Sequence, residues 1–278
     1  MSLVRSSPRF LLSAAAVVLC LAGALAEDDI LFERDTPYVP TPQDVVERML
    51  DMAKVKPGEY LIDLGSGDGR IVVTAAQRGA RAFGVDLNPQ RVKEAIANAA
   101  KAGVSDRATF EVKDLFDTDV SKADVVTTYL LPLVNLDVRP RLLEQMRPGA
   151  RLVTHAFHMG DDWWPDATDN MRGRVLFVWT IPAKVAGRWQ VESEDGNFAL
   201  DVDQAFQSFK AAAHVERLTL PKVVEAHTTQ IRDGRLNGTE ISFAIDMGVG
   251  PRVYRGRVDG NVIHGIAPEG WKATRITK

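Results

Sequence analysis

The 278-residue sequence contains one cysteine, Cys20, and it lies inside an apolar N-terminal run. A chain processed beyond that run has no thiol, so cysteine nucleophiles, disulfides and cysteine-based metal sites are excluded from the mature protein. No Lys/Arg-rich tract stands out, and the formal charge is -3. The sequence therefore lacks the basic field that gathers nucleic acid, and none is expected as a partner. Tandem repeats and low-complexity segments are absent too. His155 and His158 have a tempting metal-ligand spacing, but on a strand their side chains would face opposite sides and no third ligand supports them. No metal is expected.

The first 26 residues differ in kind from the rest. Arg5 and Arg9 precede the uncharged run Phe10 to Ala24, which closes on Ala24-Leu25-Ala26 before Glu27-Asp28-Asp29. That is the pattern of a secretory signal peptide cleaved after Ala26, giving an exported, periplasmic protein with no membrane span left. The apolar run is shorter than the roughly 20 residues that cross a bilayer comfortably. Two alternatives stay open: an anchor formed by residues 10–26, or a cytoplasmic protein with a misassigned start.

From Tyr38 onward the pattern is that of alternating strands and helices. Thr41 is placed to cap a helix opened by Pro42 and carrying Val45, Val46, Met49 and Leu50 on one face. Buried strands are expected at Tyr60–Leu64, Ala82–Asp86, Thr109–Val112, Asp124–Leu130, Arg151–Phe157 and Val175–Ile181. Between them lie helices, one capped by Asn88, opened by Pro89 and stopped by Gly103, another from about Arg139 to Met146. This alternation predicts an α/β fold, a parallel Rossmann-like sheet with helices on both faces.

Beyond Pro182 helical periodicity fades. Phe198, Leu200 and Val202 alternate, as do Ile241, Phe243 and Ile245, and Asp195-Gly196, Asp233-Gly234, Asn237-Gly238 and Asp259-Gly260 supply hairpin-turn dipeptides. The expected organisation is a signal over 1–26, a Rossmann-like domain with an N-terminal extension over 27–186, and a small antiparallel β domain over 187–278. Trp189 and Trp271 are expected in the core of that last domain.

The densest chemistry lies in Asp63-Leu64-Gly65-Ser66-Gly67-Asp68-Gly69-Arg70, at a strand-to-helix turn where main chain must pass close to a ligand. A dinucleotide fingerprint would place glycine or alanine where Arg70 stands. Asp63-x-Gly65-x-Gly67-x-Gly69 resembles instead the first motif of the Rossmann-like S-adenosylmethionine-dependent methyltransferases. The resemblance implies S-adenosylmethionine as methyl donor, with Asp63, Gly65, Ser66, Gly67 and Gly69 cradling its methionine part. It also implies Asp86 with Leu87 at the ribose, and Asp114 with Leu115 at the adenine. Asp68 has two open readings, ligand contact or support of a helix N-terminus.

A narrower resemblance rests on Tyr38-Val39-Pro40-Thr41-Pro42, the glycine motif, Thr128-Tyr129-Leu130 and Arg147-Pro148-Gly149. Together these are similar to the ATP synthase c-subunit lysine methyltransferase family over about Tyr38 to Pro182. It implies protein-lysine N-methyl transfer, a protein substrate, and Tyr38, Pro40 and Thr41 folding over cofactor and acceptor. Tyr129 and nearby carbonyls, at the end of the fourth strand, are placed to hold an amine. His155, His158, Asp161, Asp162, Trp163 and Trp164 cluster after the fifth strand, where His155 is a candidate to bind or deprotonate substrate. Small-molecule methylation, and an exported binding module without catalysis, are the other readings; the β domain is a possible docking module, positioning the substrate in the lysine reading and binding a partner in the binding-module one.

Overall fold

The computed structural model describes residues 38–216, 225–248 and 250–276; the expected signal peptide lies outside them. Helix α1 (Gln43–Met52) comes first, then β1 (Tyr60–Leu64), α2 (Arg70–Gln77), β2 (Arg81–Asp86), α3 (Pro89–Lys101) and β3 (Ala108–Val112). A single 3-10 turn, Leu115–Asp117, leads to β4 (Val125–Thr128), α4 (Pro132–Gln145), β5 (Arg151–His155), β6 (Ala167–Met171) and β7 (Arg174–Thr180). The seven strands form one sheet in the order β3-β2-β1-β4-β5-β7-β6.

Helices cover both faces, as the alternation predicts. On one side Val46 and Leu50 of α1, Val72 and Ala76 of α2 and Ala99 of α3 pack on Leu61, Ala82 and Val125. On the other, Val138, Leu142 and Met146 meet Ile62, Val126 and Leu152. The first five strands are parallel. The run expected as a sixth strand is instead the seventh, and it pairs antiparallel with β5 where the alternation predicts a parallel sheet. The missed strand is β6, which forms a hairpin with β7. Its sequence, Ala-Thr-Asp-Asn-Met, is an exposed edge without the apolar alternation that marks a buried strand.

Local signals are met in part. The Asn88 side chain accepts from the N–H groups of Gln90 and Arg91, with Pro89 opening α3 and Gly103 left-handed beyond its end. Thr41 does not cap α1; Pro42 is the cap residue, and the Thr41 hydroxyl is engaged elsewhere. Helix α4 begins seven residues earlier than its apolar spacing suggests, at Pro132, and carries Pro140 inside it. Strand β5 stops at His155 because Ala156 turns left-handed, with φ 67°.

The remaining strands are β8 (Gly187–Glu192), β9 (Phe198–Ala205), β10 (Ser208–Val215), β11 (His227–Gln230), β12 (Arg232–Asn237), β13 (Glu240–Asp246), β14 (Pro251–Asp259), β15 (Val262–Ala267) and β16 (Lys272–Arg275). They pair antiparallel as β10-β12-β13-β14-β15-β16-β8-β9, and β9 returns to β10, closing an up-and-down barrel with β11 added on β10. Inward-pointing Trp189, Phe198, Phe243, Tyr254 and Trp271 fill it. Asp233-Gly234 is not a hairpin but a bulge inside β12, where the register with β13 slips and Asp233 takes φ 55°. The β9–β10 hairpin turns instead on Phe206 and Gln207, a pair without glycine.

The barrel packs on the parallel-sheet half. Ala183 N donates to Gly238 O at 2.8 Å, and a Cβ on Gly238 would come within 2.9 Å of Gly149 Cα, so the β12–β13 turn presses on the Pro148-Gly149 turn backbone to backbone. Among the described residues no helix is long and apolar enough to cross a membrane.

Candidate functional site

Asp63, Asp86 and Asp114 stand at or just beyond the carboxyl ends of β1, β2 and β3, three neighbours in the sheet. In open α/β sheets this edge is where ligands bind. Register places Asp63 opposite Thr127 on β4, and the Thr127 hydroxyl donates to Asp63 Oδ1 at 2.7 Å. Asp63 is 2% exposed. Burial pushes its pKa up to about 7; the Thr127 hydrogen bond opposes this, and the charges of Asp86 and Asp68 add to the rise.

The glycine bend is fastened to the same acids. Gly65 N and Ser66 N both donate to Val85 O, at 2.9 and 2.8 Å, and Gly67 N donates to Asp86 Oδ2 at 2.8 Å. Asn88 N holds the other carboxylate oxygen at 2.9 Å. Gly69 is required twice over: its φ is 78°, and a Cβ there would lie 2.7 Å from the Phe110 ring and from Ala95. Ser66 is buried against Gly84, and its hydroxyl has no hydrogen-bond partner among the described residues. Asp114 Oδ1 accepts from Phe116 N at 2.8 Å, fixing the turn in which Leu115 sits half-buried. Leu87 is exposed beside Asp86.

Arg70 explains why no small residue stands at its position. It forms an ion pair with Asp68 at 2.6 Å, and its Nη1 donates to Thr41 O at 2.8 Å. Asp68 therefore acts through Arg70, and the glycine bend grips the segment before α1. The Thr41 hydroxyl in turn shares a 3.1 Å hydrogen bond with His155 Nδ1. The Tyr129 ring lies on that imidazole, centroid to centroid 4.0 Å. Thr41, Tyr129 and His155 thus meet in space although far apart in sequence. Pro40 is exposed beside Thr41, and Tyr38 is exposed at the first described position.

His155 is 3% exposed, and burial, with the Arg174 charge adding to it, lowers its pKa to about 4. The imidazole is neutral at physiological pH and a weak proton acceptor. Its geometry is that of a spacer between Thr41 and Tyr129. The tryptophans of the following loop separate: Trp163 is buried, whereas Trp164 is 80% exposed. His158 is exposed and pairs with Asp161 at 3.4 Å, while Asp162 forms an ion pair with Arg139.

Two contributors are not marked in the sequence. Asn135 is fully buried near the start of α4, accepting from the Thr128 hydroxyl at 3.3 Å and donating to Phe157 O at 3.2 Å. A polar residue on a buried helix position is the signal that could have found it. Thr127 is the other, legible only once β1 and β4 are known to be adjacent.

The donor and acceptor chemistry can be tested against S-adenosylmethionine. A row of three carboxylates accepts hydrogen bonds and favours positive charge, which suits an ammonium, a sulfonium, a ribose diol and an adenine amino group. A pyrophosphate would meet repulsion there. The glycine bend leaves room for main chain to approach the ligand, and the residues fit the group. Among the described residues no cluster of metal-ligating side chains occurs.

Comparison with known proteins finds methyltransferases. The family model described as the ANTKMT methyltransferase domain matches residues 63–167. A protein-lysine N-methyltransferase of Saccharolobus islandicus is 46% identical over 125 residues, covering 44% of this chain and 78% of that protein. The human ATP synthase c-subunit lysine N-methyltransferase is 33% identical over 130 residues, 47% of this chain. The chain spans 55% of that human relative, about half its length. A crystal structure described as an RNA methyltransferase from Salinibacter ruber, in complex with S-adenosyl-L-homocysteine, is 50% identical with a TM-score of 0.52. It covers 53% of this chain and 96% of its own.

Proposed function

This chain belongs to the S-adenosylmethionine-dependent protein-lysine N-methyltransferase family, and on that premise we propose that it transfers a methyl group to the side-chain amine of a lysine in a protein. The observation that carries the reading is the junction of the acidic cofactor edge with the Thr41–His155–Tyr129 cluster through Arg70. When bound, S-adenosylmethionine supplies an electrophilic methyl group on a sulfonium. Asp86, held by two main-chain N–H groups, accepts from the ribose hydroxyls, and Asp114 from the adenine amino group. Asp63 and the glycine bend receive the cationic methionine end.

The acceptor side needs a neutral amine held in line and kept from water. Tyr129, with the carbonyls that follow β4, orients that amine, and His155 holds the Tyr129 ring and Thr41 in place. The amine's proton leaves before attack; with the His155 pKa at about 4, solvent rather than this imidazole takes it.

Tritiated S-adenosylmethionine, incubated with the purified chain and an extract of its source cell, tests the assignment. Methyl-lysine recovered after total protein hydrolysis supports it. Label recovered in RNA or in a small molecule assigns a different acceptor, and cofactor binding without any transfer assigns a binding module. The export signal read in residues 1–26 belongs to the same proposal. Mass spectrometry of the mature N-terminus should find Glu27, and a terminus at Met1 or Ser2 sinks it.

A further inference from the structure

The barrel reaches the acceptor side of the proposed site through the tip of one hairpin, β9–β10. The loop 156–166 leaves β5 beside His155, and its Phe157 carbonyl is held by Asn135. Gly160 is pressed against Leu136 and Arg139 of α4, and Arg139 Nη1 donates to Met159 O at 2.8 Å. At its centre Trp163 turns inward, while Trp164 beside it faces solvent.

Trp163 is gripped from the barrel. The Phe206 ring stacks on it at 5.3 Å with an interplanar angle of 12°, and the Arg139 guanidinium lies over the Phe206 ring at 5.6 Å. Trp163 Nε1 donates to Gln207 Oε1 at 2.7 Å, and Gln207 Nε2 donates to Asp166 Oδ1 at 3.2 Å. One glutamine thus ties both the middle and the end of the loop. Gln207 O accepts from Leu236 N at 2.7 Å, so the tip is itself braced by β12.

Phe206 holds this place at φ 54°, a left-handed conformation. A two-residue hairpin ordinarily puts glycine there, because an L side chain in that region crowds its own backbone. The ring that the turn disfavours is the one that covers Trp163.

We propose that the β9–β10 hairpin is a positioning element for the acceptor site, with Phe206 and Gln207 fixing loop 156–166 and its exposed Trp164 where the substrate protein must dock. The inference rests on the methyltransferase reading above and gives the barrel a part in it. Neither residue touches the reacting atoms; both act through Trp163.

Three variants of the full chain test this. Phe206→Gly keeps the turn conformation and removes the ring; Gln207→Leu removes both hydrogen bonds at similar volume; Phe206→Tyr keeps the stack and is the conservative control. Acrylamide quenching of tryptophan emission reports on the cover over Trp163, because Trp164 is already 80% exposed and Trp179, Trp189 and Trp271 are buried in the two cores. Amide exchange in 156–166 reports on the loop directly. For Phe206→Gly and Gln207→Leu we expect faster exchange, stronger quenching and a KM for poly-L-lysine raised about tenfold, since small misplacements carry large rate penalties. Calorimetric affinity for S-adenosylhomocysteine should stay within about twofold of wild type, its residues lying outside the loop. Phe206→Tyr should match wild type throughout.

Unchanged exchange and quenching in the Gly and Leu variants overturn the proposal. So does an equal loss of S-adenosylhomocysteine affinity, which would mean a general loosening of the fold. Should the wild-type chain bind S-adenosylhomocysteine yet leave poly-L-lysine unmethylated, the lysine reading loses its support, and the exchange data alone decide the hairpin's role.

Discussion

Thr41 and His155, 114 positions apart, are joined by a hydrogen bond between two buried side chains. That bond couples the segment before α1 to the end of β5, across the mouth of the proposed active site. Replacing Thr41 with valine keeps its shape and leaves the His155 ring nitrogen without its partner. A buried polar group left unsatisfied costs about 1–3 kcal/mol. Thr41→Val should therefore lower the single-turnover methyl-transfer rate by about tenfold or more, while S-adenosylhomocysteine affinity changes much less. An unaffected rate would show that the pair has no part in aligning the site.

Asp86 offers the test of the cofactor assignment. Hydrogen bonds to a charged group contribute about 1.5–3 kcal/mol each, so Asp86→Ala should weaken S-adenosylhomocysteine binding at least about a hundredfold by calorimetry. In a thermal-shift comparison wild type should be stabilised by S-adenosylmethionine and not by NAD. The opposite selectivity would overturn the site.

Asp63 sets the pH dependence. Its folded pKa of about 7 lies above the ordinary carboxylate value of 3.8, so the stability tied to its protonated form is present below pH 4 and is lost as pH rises to about 7. A cation bound beside it favours the ionised carboxylate. Cofactor affinity should thus rise through pH 7 and level off above it, with proton release near neutrality detected by calorimetry in buffers of different ionisation enthalpy. The inflection should survive in His155→Asn and vanish in Asp63→Asn. Persistence in the Asp63 variant would assign it to another group.

Gly69 is the most constrained position of the bend. An alanine there combines a left-handed residue with a Cβ driven into Phe110 and Ala95, which together should cost about 2–4 kcal/mol. The melting temperature should fall by several degrees, whereas Gly103→Ala, whose Cβ meets nothing within 4 Å, should cost less. Equal losses would show that backbone conformation alone governs both glycines.

Much of the fold at the proposed cofactor edge was legible because it is local. Strand, glycine bend, helix and closing acid follow one another within 24 residues, from Asp63 to Asp86, and each announces itself by residue type. Asn88, Pro89 and Gly103 bounded α3 for the same reason. The acceptor side was only half legible. The sequence marks Thr41, Tyr129 and His155 as separate candidates, but their meeting depends on strand order, which periodicity does not reveal. Thr41 had a local role as a helix cap that its tertiary partner overrode. Strand β6 has no buried face to leave a pattern, and Phe206 occupies a turn position that propensity reserves for glycine. The two places where local preference failed most plainly are Thr41, which meets His155, and Phe206, which covers Trp163 in the loop that follows His155.

Strand β7 runs back against β5, so the chain leaves the sheet at the end remote from the cofactor, near Gly149, where Ile181 N donates to Ala150 O. The barrel begins there and reaches forward again to cap Trp163. A polypeptide stopped after Ile181 would keep every proposed cofactor ligand yet present Trp163 to water with its outer ring face bare. Shortened forms of this protein should therefore be sticky before they are inactive, and a soluble minimal catalyst would need a polar replacement at that indole.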